Sequence, residues 1–98
     1  MPRLIWSPSS RRDLQGIHEF LPERDPNVAR DTLRAIQRVA RRMLDYPRIG
    51  RAVQEPFRVF GVRGTRYIVI YRLRAADVEI VRIRHGREDW LGQIEADL

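Results

Sequence analysis

The sequence predicts an α+β domain in the order β-α-α-β-β-β, a helical hairpin packed on one face of a small, mainly antiparallel sheet. Three observations predict it. A serine or aspartate followed by proline occurs twice in the first half, each time ahead of an apolar stripe at helical spacing. The second half carries three segments rich in β-branched and aromatic residues, separated by glycines or a short turn. A short apolar run stands before the first helix signal.

RLIW, residues 3–6, is the opening strand and ends at Ser7-Pro8, where serine caps a helix and the fixed φ of proline suits the first helical position. Leu14, Ile17, His18 and Leu21 fall at i, i+3, i+4 and i+7, with Arg11, Arg12 and Glu19 off that stripe, and Pro22 closes the helix. His18 on the stripe is expected to be a semi-buried packing residue. Asp25-Pro26 repeats the start signal, and Ala29, Leu33, Ile36, Ala40 and Met43 follow at spacings of four and three until Pro47. PERD, between the helices, is short enough for an antiparallel hairpin. PRIGR, residues 47–51, reads as a turn-forming loop.

In VQEPFRVF, residues 53–60, Pro56 confines the segment to an edge or irregular strand. TRYIVIYRL, residues 65–73, has scarcely a polar interruption, as a central strand covered on both faces would. GVRGT between them suits a hairpin loop, and RAAD turns the chain into VEIVRIRH, residues 78–85. Beyond Gly86 the chain has helical character but is short, so residues 91–98 are expected to be a short helix or a tail on the single domain 1–98.

Ninety-eight residues make one domain with one modest core. All 19 basic residues are arginine, against 13 acidic, for a net charge of +6. Arginine binds phosphate and carboxylate bidentately and stays protonated, so anionic partners are expected and a lysine base is excluded. Without cysteine there is no disulfide framework, thiolate metal site or cysteine nucleophile. With neither a signal-like N-terminus nor a long apolar run, a cytoplasmic protein with no membrane contact is expected.

The chemistry that deserves weighing lies in EIVRIRHGREDW, residues 79–90. Metal-free RNA cleavage needs a general base, a general acid and fixed positive charge on the phosphate. His85 among Arg82, Arg84 and Arg87 has the pKa class for proton transfer. It equally suits a ring packed on the sheet at a basic strand end. The remaining proton carriers are His18, Tyr67, Tyr71, Glu55 and Glu79; Tyr67 and Tyr71 share one side of a strand, where packing is the ordinary role. Two isolated histidines make no metal site. Arg30, Arg34, Arg38 and Arg41 run along one face of the second helix, and a solvated face is the ordinary reading of such a row.

Four stretches in order resemble the RelE/ParE superfamily of toxins from bacterial toxin–antitoxin pairs, and are most like its ParE branch. WSPSSRRDLQGIHEFL, residues 6–21, is similar to the family's opening strand and first helix, and YPRIGR, residues 46–51, to its P-x-x-G-R turn. YIVIYRL, residues 67–73, and EIVRIRHGRED, residues 79–89, resemble its Tyr-apolar-Tyr-Arg strand and its closing His-Gly-Arg strand. The resemblance implies a toxin of a type II system, without cofactor or metal, that inhibits DNA gyrase by binding. A cognate ParD-like antitoxin with an acidic C-terminal segment would neutralise it. Target or anion contacts are expected from Arg58, Arg63, Arg66, Arg82, Arg84, Arg87 and Trp90, and antitoxin contacts from Arg30, Arg34, Arg38 and Arg41; nucleic acid would be met through the target. The alternative is a RelE-like ribosome-dependent endoribonuclease using His85 with Arg82, Arg66 and Arg63. RelE-like members add strand lysines and a late tyrosine, which are missing from the corresponding stretches of this chain.

Overall fold

The computed structural model describes residues 1–20, 25–86 and 90–92. The elements are β1 (Leu4–Trp6), α1 (Pro8–Phe20), α2 (Pro26–Asp45), β2 (Arg51–Ala52), β3 (Phe57–Gly61), β4 (Tyr67–Arg74) and β5 (Asp77–His85). They form one five-stranded sheet in the order β1-β5-β4-β3-β2, with β1 parallel to β5 and the other pairs antiparallel.

Both helix starts follow the sequence signals. The Ser7 hydroxyl accepts the Ser10 N–H at 3.0 Å, and the Asp25 carboxylate accepts the Asn27 N–H at 2.9 Å, each satisfying a donor that has no partner within its helix. The inward stripe of α1 is Ser10, Asp13, Leu14 and Ile17, however, not the one drawn through His18. Ser10 and Ile17 are buried, whereas His18 is exposed, corrected from the semi-buried position expected of it. The stripe is rotated by a fraction of a turn because a small serine and a paired aspartate can face inward where only apolar residues were counted. Leu21 and Pro22 lie outside the described residues.

Ile17 of α1 and Ile36, Ala40 and Met43 of α2 meet Val69, Tyr71, Val78, Ile80 and Ile83 in the main core. Phe57, Val59 and Ile70 form a second cluster with Val81 and Trp90 packed against it. The central β4 is thus covered on both faces, as its unbroken apolar sequence requires.

Two boundaries moved. Residues 53–56 are a turn ahead of β3, since Pro56 has no N–H to give a ladder, and Arg51, read from sequence as the end of a loop, pairs together with Ala52 against Arg58 and Val59. Between β4 and β5 the register passes from Ile70↔Arg82 to Tyr71↔Ile80, leaving Val81 as the extra residue of a β-bulge. The bulge resets the alternation, so Ile80 and Ile83 both reach the main core while Val81 joins the second cluster.

Candidate functional site

β1 pairs with β5 only as far as Trp6↔Ile80, so the rest of β5 would be an open edge. The start of α1 closes it. The Ser7 N–H donates to the Ile80 carbonyl at 3.0 Å, and the Ser7 hydroxyl donates to the Val81 carbonyl at 2.7 Å. Further along α1, the Asp13 carboxylate accepts the Ile83 N–H at 2.9 Å and both Nε and Nη2 of Arg82, at 2.8 and 2.9 Å. The Arg82 fork is therefore directed onto α1. Asp13 was not legible as a partner of Arg82, although an acid on the inward stripe of a helix is itself the signal of a buried cation or donor.

Other arginines of the sheet half are also engaged. Arg58 donates to the Gly50 carbonyl at 2.7 Å, and Arg72 and Arg74 pair with Glu79. Gly50 is clamped from its other side by the Tyr71 hydroxyl, which accepts the Gly50 N–H at 2.8 Å and donates to the Pro47 carbonyl at 2.9 Å. No side chain fits at Gly50, where an added Cβ would lie 2.7 Å from both Tyr71 and the Val59 carbonyl. The buried phenol at the centre of this clamp has its pKa raised by burial, against the lowering effects of the Gly50 N–H and the Arg58 charge.

His85 ends β5 directly across from Tyr67, their rings edge to face with centroids 5.7 Å apart. The pair lines a groove with Thr65 and Arg66 on one side and Val28 and Thr32 of α2 on the other. Arg63 and Arg66 line an adjoining cleft with Val39, Arg42 and Phe60. Arg63 and Arg66 are exposed, and no carboxylate among the described residues pairs with either. The four residues named for RNA cleavage thus divide. Arg66 lines one groove with His85 and the adjoining cleft with Arg63, whereas Arg82 is turned onto Asp13. No aspartate or glutamate among the described residues lines the His85 groove.

The remaining named residues are scattered. Arg84 is half-buried opposite Ile68 on β4. Trp90 packs on the second cluster with the Arg51 guanidinium 5.8 Å from its ring centroid, and is only partly open to a partner. Arg87 lies outside the described residues. Arg30, Arg34, Arg38 and Arg41 are exposed on the side of α2 turned away from the core, and Arg30 pairs weakly with Asp31 at 4.0 Å. No group of three histidine, aspartate or glutamate side chains able to hold a metal occurs among the described residues.

A family model described as the ParE toxin of the type II toxin-antitoxin system parDE matches residues 4–90. The chain belongs to the ParE toxin family. Membership implies an antitoxin partner, since ParE toxins are one half of ParDE pairs. Among solved structures, a chain described as the chromosomal ParDE TA system from P. aeruginosa has the same fold at a TM-score of 0.75. The likeness covers 87% of this chain and 96% of that one at 18% sequence identity. No functionally curated protein matches this chain. Among the described residues no helix is long and apolar enough to cross a membrane.

Proposed function

We propose that this ParE family member is a non-enzymatic toxin that acts by binding DNA gyrase and is neutralised by a cognate ParD-like antitoxin through an acidic segment. The observation that carries the reading is the engagement of Arg82 by Asp13. Cleavage of a phosphodiester calls for positive charge on the phosphate as negative charge builds on it. An arginine already held by a carboxylate has surrendered much of that charge. The exposed Arg63 and Arg66 supply positive potential, and such potential steers association with acidic partners without any chemistry. The test is induction in cells, with gyrase supercoiling and transcript integrity followed together. Loss of supercoiling with intact transcripts is expected; rapid site-specific transcript cleavage with normal supercoiling would overturn the proposal.

A second reading rests on the shared groove of His85, Tyr67 and Arg66. In it the chain is a ribosome-dependent endoribonuclease with His85 moving the proton and Arg66 and Arg63 on phosphate. Undiminished toxicity of a stably folded His85→Ala, Arg66→Ala double variant would remove it.

A further inference from the structure

The side of α2 turned away from the core carries Arg30, Arg34, Gln37, Arg38 and Arg41, which helical spacing gathers within about 100° of its circumference. All five are exposed. The other helix adds one more arginine: Arg11 of α1 shares a small cleft with Gln37 and Arg41, lined also by the half-buried Leu4, Trp6 and Leu14. Arg30 donates to the Asn27 side chain at 2.9 Å and lies 4.0 Å from Asp31. No carboxylate among the described residues pairs with Arg11, Arg34, Arg38 or Arg41. Like charges four residues apart destabilise a helix, as at Arg30 and Arg34 or Arg34 and Arg38, and an anion bound across the row relieves that repulsion.

The chemistry of the face selects among anions. A protein partner is held by apolar anchors at the centre of its interface. The large hydrophobic residues left exposed among those described are Met1, Val28, Tyr46 and Leu91, and none of them stands in the row. A single-stranded nucleic acid is held by aromatic faces on which its bases stack, and Trp6, the one aromatic ring beside the row, is half-buried in the cleft. Fixed charge repeated along a stiff helix, with neither anchor nor stacking face, matches the regular phosphates of a duplex. From Arg30 to Arg41 the row follows about 16 Å of helix axis, over which one strand of B-DNA offers about five phosphates. Duplex RNA is read through its 2′-hydroxyls over about 16 base pairs, a span much longer than the row.

We propose that this face of the helical hairpin, built from Arg11, Arg34, Arg38 and Arg41, holds the phosphate backbone of duplex DNA without reading its sequence. Each guanidinium meets phosphate oxygens, and the Gln37 amide in their midst donates to the same atoms. The inference goes beyond the proposed function and does not depend on gyrase as the target. It assigns the arginine row to nucleic acid held by the toxin itself, in place of the antitoxin expected of it from the sequence.

The test is fluorescence anisotropy of a labelled, mixed-sequence DNA duplex titrated with the full chain. Micromolar affinity at low salt is expected, falling about 100-fold between 50 and 200 mM salt as counterions leave three or four phosphates. Arg34→Gln, Arg38→Gln and Arg41→Gln together are expected to weaken binding at least tenfold and to flatten that salt dependence. The same charge change outside the row, Arg42→Gln with Arg48→Gln and Arg63→Gln, is expected to alter affinity less than threefold. All six side chains are exposed, and unaltered circular dichroism and melting confirm the folds. Equal losses from the two triple variants would show that net charge alone acts, and would overturn the inference. So would the absence of binding at low salt, or tighter binding of single-stranded DNA or duplex RNA of the same sequence. Loss of antitoxin affinity from the row variant, with DNA binding unchanged, would reassign the face to an acidic protein. The gyrase reading is decided separately, by the supercoiling assay.

Discussion

Asp13 holds Arg82 by two guanidinium nitrogens, Nε and Nη2, at 2.8 and 2.9 Å, and takes the Ile83 N–H with the same carboxylate. The two side chains are only 15% and 22% exposed. Asp13→Ala leaves a poorly solvated guanidinium and a strand N–H without their acceptor, and is expected to lower stability by about 2–4 kcal/mol. In urea titrations Arg82→Ala should cost a similar amount. The double variant should cost much less than the sum, because the second change removes a group that the first had already stranded. Full additivity would mean that the pair is not coupled.

The clamp on Gly50 makes a second pair of variants informative. Tyr71→Phe removes a buried hydroxyl that satisfies both the Gly50 N–H and the Pro47 carbonyl, and a loss of about 1–3 kcal/mol is expected. Gly50→Ala places a methyl group 2.7 Å from backbone and ring atoms at once and should lose at least as much. Thermal melts of both variants measure this directly, and an unchanged midpoint for Gly50→Ala would contradict the packing described.

Burial raises the pKa of Tyr71, so the folded chain keeps a proton that the unfolded chain releases near the ordinary value of about 10. That stability is fully present below about pH 10 and is lost as pH rises through the higher folded value. The melting temperature should fall more steeply above about pH 10 in the wild type than in Tyr71→Phe. Parallel profiles would assign the alkaline loss to other groups.

Ala75 turns β4 into β5 with φ at +55°, a region where a Cβ is crowded by the backbone. Ala75→Gly removes that crowding and adds some unfolded-state entropy, and the balance is expected to stabilise by about 0.5–1 kcal/mol. Chemical denaturation would detect it, and a destabilised variant would show that the alanine methyl makes a contact worth more than its strain.

The helices were legible because their signals are local. Ser7-Pro8 and Asp25-Pro26 mark starts that any observer of the chain can read, and Ile36, Ala40 and Met43 fall where helical spacing puts them. The central strand was legible for the same reason, its neighbours in sequence being uniformly apolar. Trp6, in the opening apolar run, packs against the main core. The two-residue β2 was not readable, since Arg51 and Ala52 become strand only through Arg58 and Val59. Nor was the bulge at Val81, which depends on how β4 and β5 come into register.

The sequence by itself determined an α+β ParE-like domain with an all-arginine positive charge, because composition, caps and hydrophobic period act over a few residues. It could not sort one arginine from another. Arg82 and Asp13 are 69 residues apart in the chain, and Tyr71 is 21 from the Gly50 it clamps. Only the tertiary structure decided that Arg58 and Arg82 secure the fold while Arg42, Arg63 and Arg66 face an open groove, because a charge is committed or available according to what the fold brings within about 3 Å of it.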